Sequence, residues 1–171
     1  VIVFKDASAN KGGVTSSSLE VLAALSLDDV QFKENMMTPN APFYRSYVDQ
    51  VHQVIERNAA LEFECMWKVH QTTGKPFSVI SDELSLGIVD LRSKLADSPD
   101  LWEDTQLRDC VMRRAVPKLI LDLVPLDVLY KRVPEPYLRA IFAGYLASRF
   151  VYEYGVSGDQ FAFYQFMKAL K

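Results

Sequence analysis

A helical hydrophobic period that persists almost to the end of the chain is what most constrains its fold. From about Tyr44 to Gln71, the residues Tyr47, Val48, Val51, Ile55, Leu61, Met66 and Trp67 form an apolar stripe at helical spacing. Ile80, Leu84, Ile88, Leu91 and Leu95 repeat it at three- and four-residue steps over Ser78–Ala96. Leu138, Ile141, Phe142, Tyr145, Leu146, Phe150 and Tyr152 do the same over Tyr137–Tyr154. Gly74-Lys75-Pro76 and Val133-Pro134-Glu135-Pro136 break these runs, and Gly155 is placed to cap the last of them. Ser98 before Pro99 predicts a helix running to Ala115, Pro117 restarts it and Pro125 closes it. A short helix follows the Asp28-Asp29 cap as far as Met36, and a final one spans Asp159–Leu170. The expected fold class is mostly α.

The exception is the start. Val1-Ile2-Val3-Phe4 is apolar and β-rich, short enough for a central parallel strand. Asp6–Gly13 reads as the turn beyond its carboxyl end, with Gly12-Gly13 free to take positive φ. Ser17 and Glu20 fit an S-x-x-E capping box, so the next helix is expected to begin near Thr15–Ser17. A strand, a glycine turn and a helix start form the usual ligand-binding edge of an open α/β sheet. The N–H groups of such a helix start favour anions. With the hydroxyls of Thr15, Ser16, Ser17 and Ser18 and the amide of Asn10, they suit a carboxylate. No G-x-x-x-x-G-K-[ST] spacing is present for a triphosphate. A plain turn followed by serine caps accounts for the same residues.

Composition narrows the function classes. With 171 residues, 49% hydrophobic and 24% charged, the chain can bury one medium core. No apolar run is long enough for a bilayer. A formal net charge of −3 gives no basic stripe for nucleic acid, and Arg113-Arg114 and Lys131-Arg132 are isolated basic pairs. Cys65 and Cys110 stand far apart, with no disulfide framework or zinc spacing, and read as small buried hydrophobes in a reducing compartment. His52 and His70 are too distant in sequence for a metal pair, so no metal site is expected. Because a lone strand needs neighbours, Val1–Phe4 is expected to belong to a longer protein of which this is a C-terminal piece.

The segment Ala9-Asn10-Lys11-Gly12-Gly13-Val14-Thr15-Ser16-Ser17-Ser18-Leu19-Glu20 resembles the A-N-x-G-G-V-x-x-S-x-x-E motif of glutamate dehydrogenases. Lys5–Ala24 as a whole is similar to the large-subunit, NAD-specific class of fungi and protists, and Lys11 stands where small hexameric relatives carry a small residue. Weaker similarity extends into Phe43–Trp67 and Pro134–Gly155. The resemblance implies that residues 1–37 close a Rossmann-like dinucleotide-binding domain and that 38–171 form a C-terminal helical domain. It implies reversible oxidative deamination of L-glutamate to 2-oxoglutarate and ammonia, with NAD as cofactor.

By the same resemblance Asn10 and Gly12 contact the cofactor, while Gly13, Val14 and Ser17 line the substrate pocket, Ser17 on the γ-carboxylate. The catalytic lysine and aspartate of the family lie before this motif, so no catalytic residue is assigned here; Lys5 and Lys11 are read as solvated. The implied setting is a homo-oligomer inside the cell, mitochondrial in preference to cytoplasmic, completed by the remainder of the same polypeptide. The competing reading is a non-catalytic helical scaffold that mediates self-association.

Overall fold

A computed structural model describes residues 2–10 and 12–171; Val1 and Lys11, with the readings that fall on them, lie outside the described residues. The fold is mostly α, and among the described residues there is no strand. Ile2, Val3 and Phe4 run as irregular chain, 56%, 60% and 41% exposed. This differs from the expected strand for a simple reason: a strand is stable only when its backbone groups find a partner, and the described chain offers none.

The expected turn over Asp6–Gly13 is also replaced. A single helical turn, α1 (Asp6–Ala9), is followed by α2 (Gly12–Ser26), so the helix begins at the glycines and Ser17 lies inside it. Neither glycine takes positive φ; Gly74 at 71° and Gly155 at 73° do, each closing a helix. A Cβ placed on Gly12 would lie 3.8 Å from Ile55 Cδ1, so the glycine sits at a helix–helix contact. The capping box forms instead at Asp28. Its carboxylate accepts from the Gln31 N–H at 2.8 Å, while Gln31 Oε1 accepts from the Asp28 N–H at 3.2 Å. It opens α3 (Asp29–Phe32), which runs on as a π-turn over Lys33–Met37.

The long helices follow the periodicity closely. Pro42 occupies the first turn of α4 (Pro42–Thr73), where its missing N–H costs nothing, and α5 (Phe77–Ala96) follows Pro76. The helix expected from Ser98 to Ala115 is two, α6 (Pro99–Glu103) and α7 (Thr105–Ala115). Asp104 takes an extended conformation between them and accepts from the Leu107 N–H at 3.0 Å. Ser98 makes no cap; its hydroxyl donates back to the Lys94 carbonyl. α8 (Lys118–Leu123) follows Pro117. α9 (Leu126–Arg132) fills the span between Pro125 and Pro134, where no helix is expected from the periodicity. α10 (Glu135–Tyr154) and α11 (Gln160–Leu170), the latter capped by Asp159, end the chain.

α10 is the central element, packed on α4, α5, α7 and α11, and it buries Leu138, Phe142, Ala143, Leu146, Ala147, Phe150 and Val151. Leu19, Leu22, Ala23 and Leu27 join the same core from α2 and the residue after it, so α2 is held by its inner face against α4 and α9. Cys65 is buried, its thiol 3.7 Å from the Val151 carbonyl and pushed up by burial; both cysteines are free thiols. No helix among the described residues is long and apolar enough to cross a membrane.

Candidate functional site

Helical geometry divides α2 into three faces. Leu19, Leu22, Ala23 and Ser26 are buried. Gly12, Ser16 and Glu20, at four-residue steps, line a groove of about 640 Å³ whose other wall includes Tyr47, His52 and Ile55 of α4. Gly13, Val14, Ser17 and Val21 recur at three- and four-residue steps on the outer face, where all are exposed, Val14 to 80%. The structure therefore brings Gly13, Val14 and Ser17 together on one open stripe and sets Gly12 on the neighbouring one. Val21 extends the stripe; the helical period marks it, although the motif does not.

The Ser17 hydroxyl donates to the Gly13 and Val14 carbonyls, both at 3.1 Å, and Ser16 donates to Gly13 at the same distance. Receiving a ligand oxygen requires only that the Ser17 hydroxyl rotate away from its own helix. Asn10 ends α1, its N–H donating to the Asp6 carbonyl at 2.8 Å, and the residue is exposed. Lys5 is exposed, as expected, and pairs across the surface with Asp82 of α5, and the Ser8 and Ser81 hydroxyls share a hydrogen bond of 2.6 Å. The chain leading into the motif is thus fastened to α5.

The far half of α2 is clamped. Tyr47 donates its hydroxyl to the Leu19 carbonyl at 2.7 Å, and Tyr137 of α10 donates to the neighbouring Ser18 carbonyl at 3.0 Å. Burial is the main cause raising the Tyr47 phenol well above its ordinary value, followed by the nearby Tyr137 and Glu20, so it remains a donor. Arg132 of α9 donates through Nη1 to the Ser26 carbonyl at 2.9 Å and Gln31 Oε1 at 2.8 Å, and through Nη2 to Asp28 at 3.1 Å. These anchors come from residues that local sequence patterns do not connect to α2. Arg132→Met is expected to cost about 1–2 kcal/mol, the half-exposed Asp28 pair contributing least. A denaturation midpoint unchanged by the substitution would show that the clamp carries no stability.

His52 lines the groove, and His70 donates from Nδ1 to the Lys75 carbonyl at 2.7 Å while packing on Phe77. No group of three or more potential metal ligands is assembled among the described residues.

The family model for Glutamate/Leucine/Phenylalanine/Valine dehydrogenase matches residues 1–74, which contain all of α2 and α4. Likeness to individual relatives extends over nearly the whole chain. Glutamate dehydrogenase 2 of Dictyostelium discoideum is 52% identical over 99% of this chain, and the NAD-specific glutamate dehydrogenase of Neurospora crassa is 55% identical over 97%. Over nearly its whole length this chain is similar to a segment of NAD-specific glutamate dehydrogenases. A probable NAD-specific glutamate dehydrogenase of Schizosaccharomyces pombe is 50% identical over the full chain. The chain spans about 16% of the length of each of these relatives. No solved structure gives a significant match.

Proposed function

We propose that this chain is part of an NAD-dependent glutamate dehydrogenase that interconverts L-glutamate with 2-oxoglutarate and ammonia, and that the outer face of α2 is one wall of its substrate pocket. The observation that carries this reading is the placement of Gly13, Val14 and Ser17 on one exposed stripe of a helix whose opposite side is tied into the core. A hydroxyl, an apolar side chain and a surface without a Cβ together suit the γ-carboxylate, methylene chain and close approach of glutamate. On this reading Ser17 donates to the γ-carboxylate and Val14 packs on the methylenes.

NAD fits this segment only in part. Asn10, exposed between α1 and α2 and able to donate and accept, suits the carboxamide of the nicotinamide end, with Gly12 beside it. No G-x-G-x-x-G turn is present for the pyrophosphate. The nicotinamide ring supplies hydride acceptance when bound; this chain's residues orient it and the glutamate side chain. The remainder of the polypeptide supplies the catalytic lysine and aspartate, and the chain alone is not expected to be catalytically competent.

In that larger subunit, Ile2–Phe4 would complete the last strand of a Rossmann-like domain ending near residue 37, and residues 38–171 would form its helical neighbour. Their exposed apolar side chains support a strand that acquires partners there. Exposed Leu86 and Val89 on α5 and Phe161 and Tyr164 on α11 support contacts in a homo-oligomer. The same faces favour a second reading, a non-catalytic scaffold, which predicts no glutamate-dependent NADH formation by the full-length protein.

Gly13 gives a test that separates folding from function. A Cβ added there meets nothing within 4 Å, and the residue is helical without positive φ. Gly13→Ala is therefore expected to preserve stability or raise it by up to about 0.5–1 kcal/mol. In the full-length enzyme it should lower kcat/KM for glutamate by about tenfold or more, because the methyl group stands where the substrate approaches. Unchanged kinetics would remove Gly13 from the pocket.

A further inference from the structure

Aromatic side chains gather where the start of the chain meets α4 and α5. Phe63, Trp67 and His70 lie at four- and three-residue steps on one face of α4, and Phe77 opens α5 beside them. Phe63 stacks on Trp67 with ring centres 5.9 Å apart, and the two reach Phe77 at 6.5 and 5.9 Å. His70 joins the set 4.7 Å from Phe77. Phe4 comes onto this cluster from the start of the chain, 5.0 Å from Phe77 and 5.9 Å from Phe63.

Phe77 is buried, but Phe63 stays 44% and Trp67 39% exposed, and Ile2, Val3 and Phe4 continue the exposed apolar surface. Rings that touch one another and still face solvent form a contiguous patch, unlike apolar residues scattered singly over a surface. Ion pairs flank it, Lys5 with Asp82 and Lys75 with Glu83, the latter at 2.7 Å. An aromatic centre with a polar rim is the composition of a protein–protein interface.

The path of the chain indicates which partner covers it. Phe4 lies against Phe63 and Gly12 against Ile55, contacts eight residues and so about 12 Å apart along α4. The chain therefore follows α4 from the aromatic patch to the α2 face. This chain spans about 16% of the length of its relatives. On the dehydrogenase reading, on which this inference rests, Ile2–Phe4 end a strand of the domain that carries the catalytic lysine and aspartate. A strand that ends at Phe4 brings its own domain up against the exposed rings of α4.

We propose that the patch of Phe4, Phe63 and Trp67 is the seat on which the part of the same polypeptide preceding Val1 docks. Burying these rings fixes that domain against α4, and α4 in turn carries the α2 face, so the patch sets how the two halves of the substrate pocket meet.

Photo-cross-linking in the full-length protein tests it, with p-benzoylphenylalanine substituted at Phe63 in one variant and at Trp67 in another. Both side chains are partly exposed, so a larger ring is accommodated without opening the core. After irradiation, denaturing electrophoresis separates links within one polypeptide from links between two, and mass spectrometry identifies the linked peptide. The expected product, from either variant, runs at the size of one polypeptide and joins the patch to a peptide preceding Val1. A product of two-polypeptide size in its place assigns the patch to a second copy. Links confined to this chain's own residues, or no link from either variant, leave the patch uncovered. Each of these results overturns the proposal. Glutamate-dependent NADH formation by the unsubstituted full-length protein is measured alongside: its absence removes the dehydrogenase reading, whereas activity without the expected link removes the docking surface alone.

Discussion

Phe142→Ala is expected to destabilise the chain by about 3–5 kcal/mol, the range for removing an aromatic ring from a packed core. Phe142 is 2% exposed on α10, the helix on which α4, α5, α7 and α11 converge, and its ring meets Trp102 edge-on with centroids 5.6 Å apart. Trp102 in turn packs edge-on against Tyr130, and Arg108 lies over both Trp102 and Tyr130 at 5.3 and 4.8 Å. Removing the Phe142 ring therefore leaves a cavity and also frees the partner that orders this stack. Against a total stability of about 5–15 kcal/mol for a domain of ordinary size, that loss approaches unfolding. Phe161→Ala is the control: the residue is 69% exposed, and its loss should shift stability by no more than about 0.5 kcal/mol. Urea titration followed by circular dichroism distinguishes them, with a lowered midpoint at unchanged slope for Phe142→Ala alone. Equal midpoints would mean that α10 is not the centre of the core.

The parts of the fold legible in the sequence are those where one physical signal dominates. In α4, α5 and α10 a long apolar stripe coincides with proline at the start, and glycine at positive φ ends α4 and α10. The short elements were less readable because competing signals are of similar strength. Ser98-Pro99 looks like the start of one long helix, yet Asp104 caps a second one five residues on and breaks the first. α9 is only seven residues between prolines, although Asp127 in its first turn and Lys131-Arg132 in its last are charges that suit its dipole.

The start of the chain was harder for a different reason. Val1–Phe4 has the composition of a strand, but strand formation depends on neighbours that composition cannot supply, and the described residues 2–4 stay irregular and exposed. Likewise, Ser17 and Glu20 have the spacing of a capping box, yet α2 begins at Gly12 and carries both residues inside it. The candidate site was legible as a motif and not as a geometry. The resemblance picked out Asn10, Gly12, Gly13, Val14 and Ser17. That Gly13, Val14 and Ser17 share an open face, held from behind by Tyr47, Tyr137 and Arg132, depends on contacts between residues 28 to 119 positions apart.

The second large effect concerns that face directly. In the chain itself the Ser17 hydroxyl bonds only to carbonyls of its own helix, which retain their backbone partners when it is lost, so Ser17→Ala should leave the melting temperature unchanged. In the catalytic complex the same hydroxyl is proposed to turn outward to the γ-carboxylate. A hydrogen bond to a charged group contributes about 1.5–3 kcal/mol, equivalent to roughly a tenfold to hundredfold change in binding. Steady-state kinetics of the full-length Ser17→Ala enzyme, with glutamate varied at saturating NAD, are therefore the most direct measurement. The proposed pocket predicts a KM for glutamate raised about tenfold or more, little change in affinity for NAD, and unaltered stability. A KM and kcat equal to those of the wild type would contradict it.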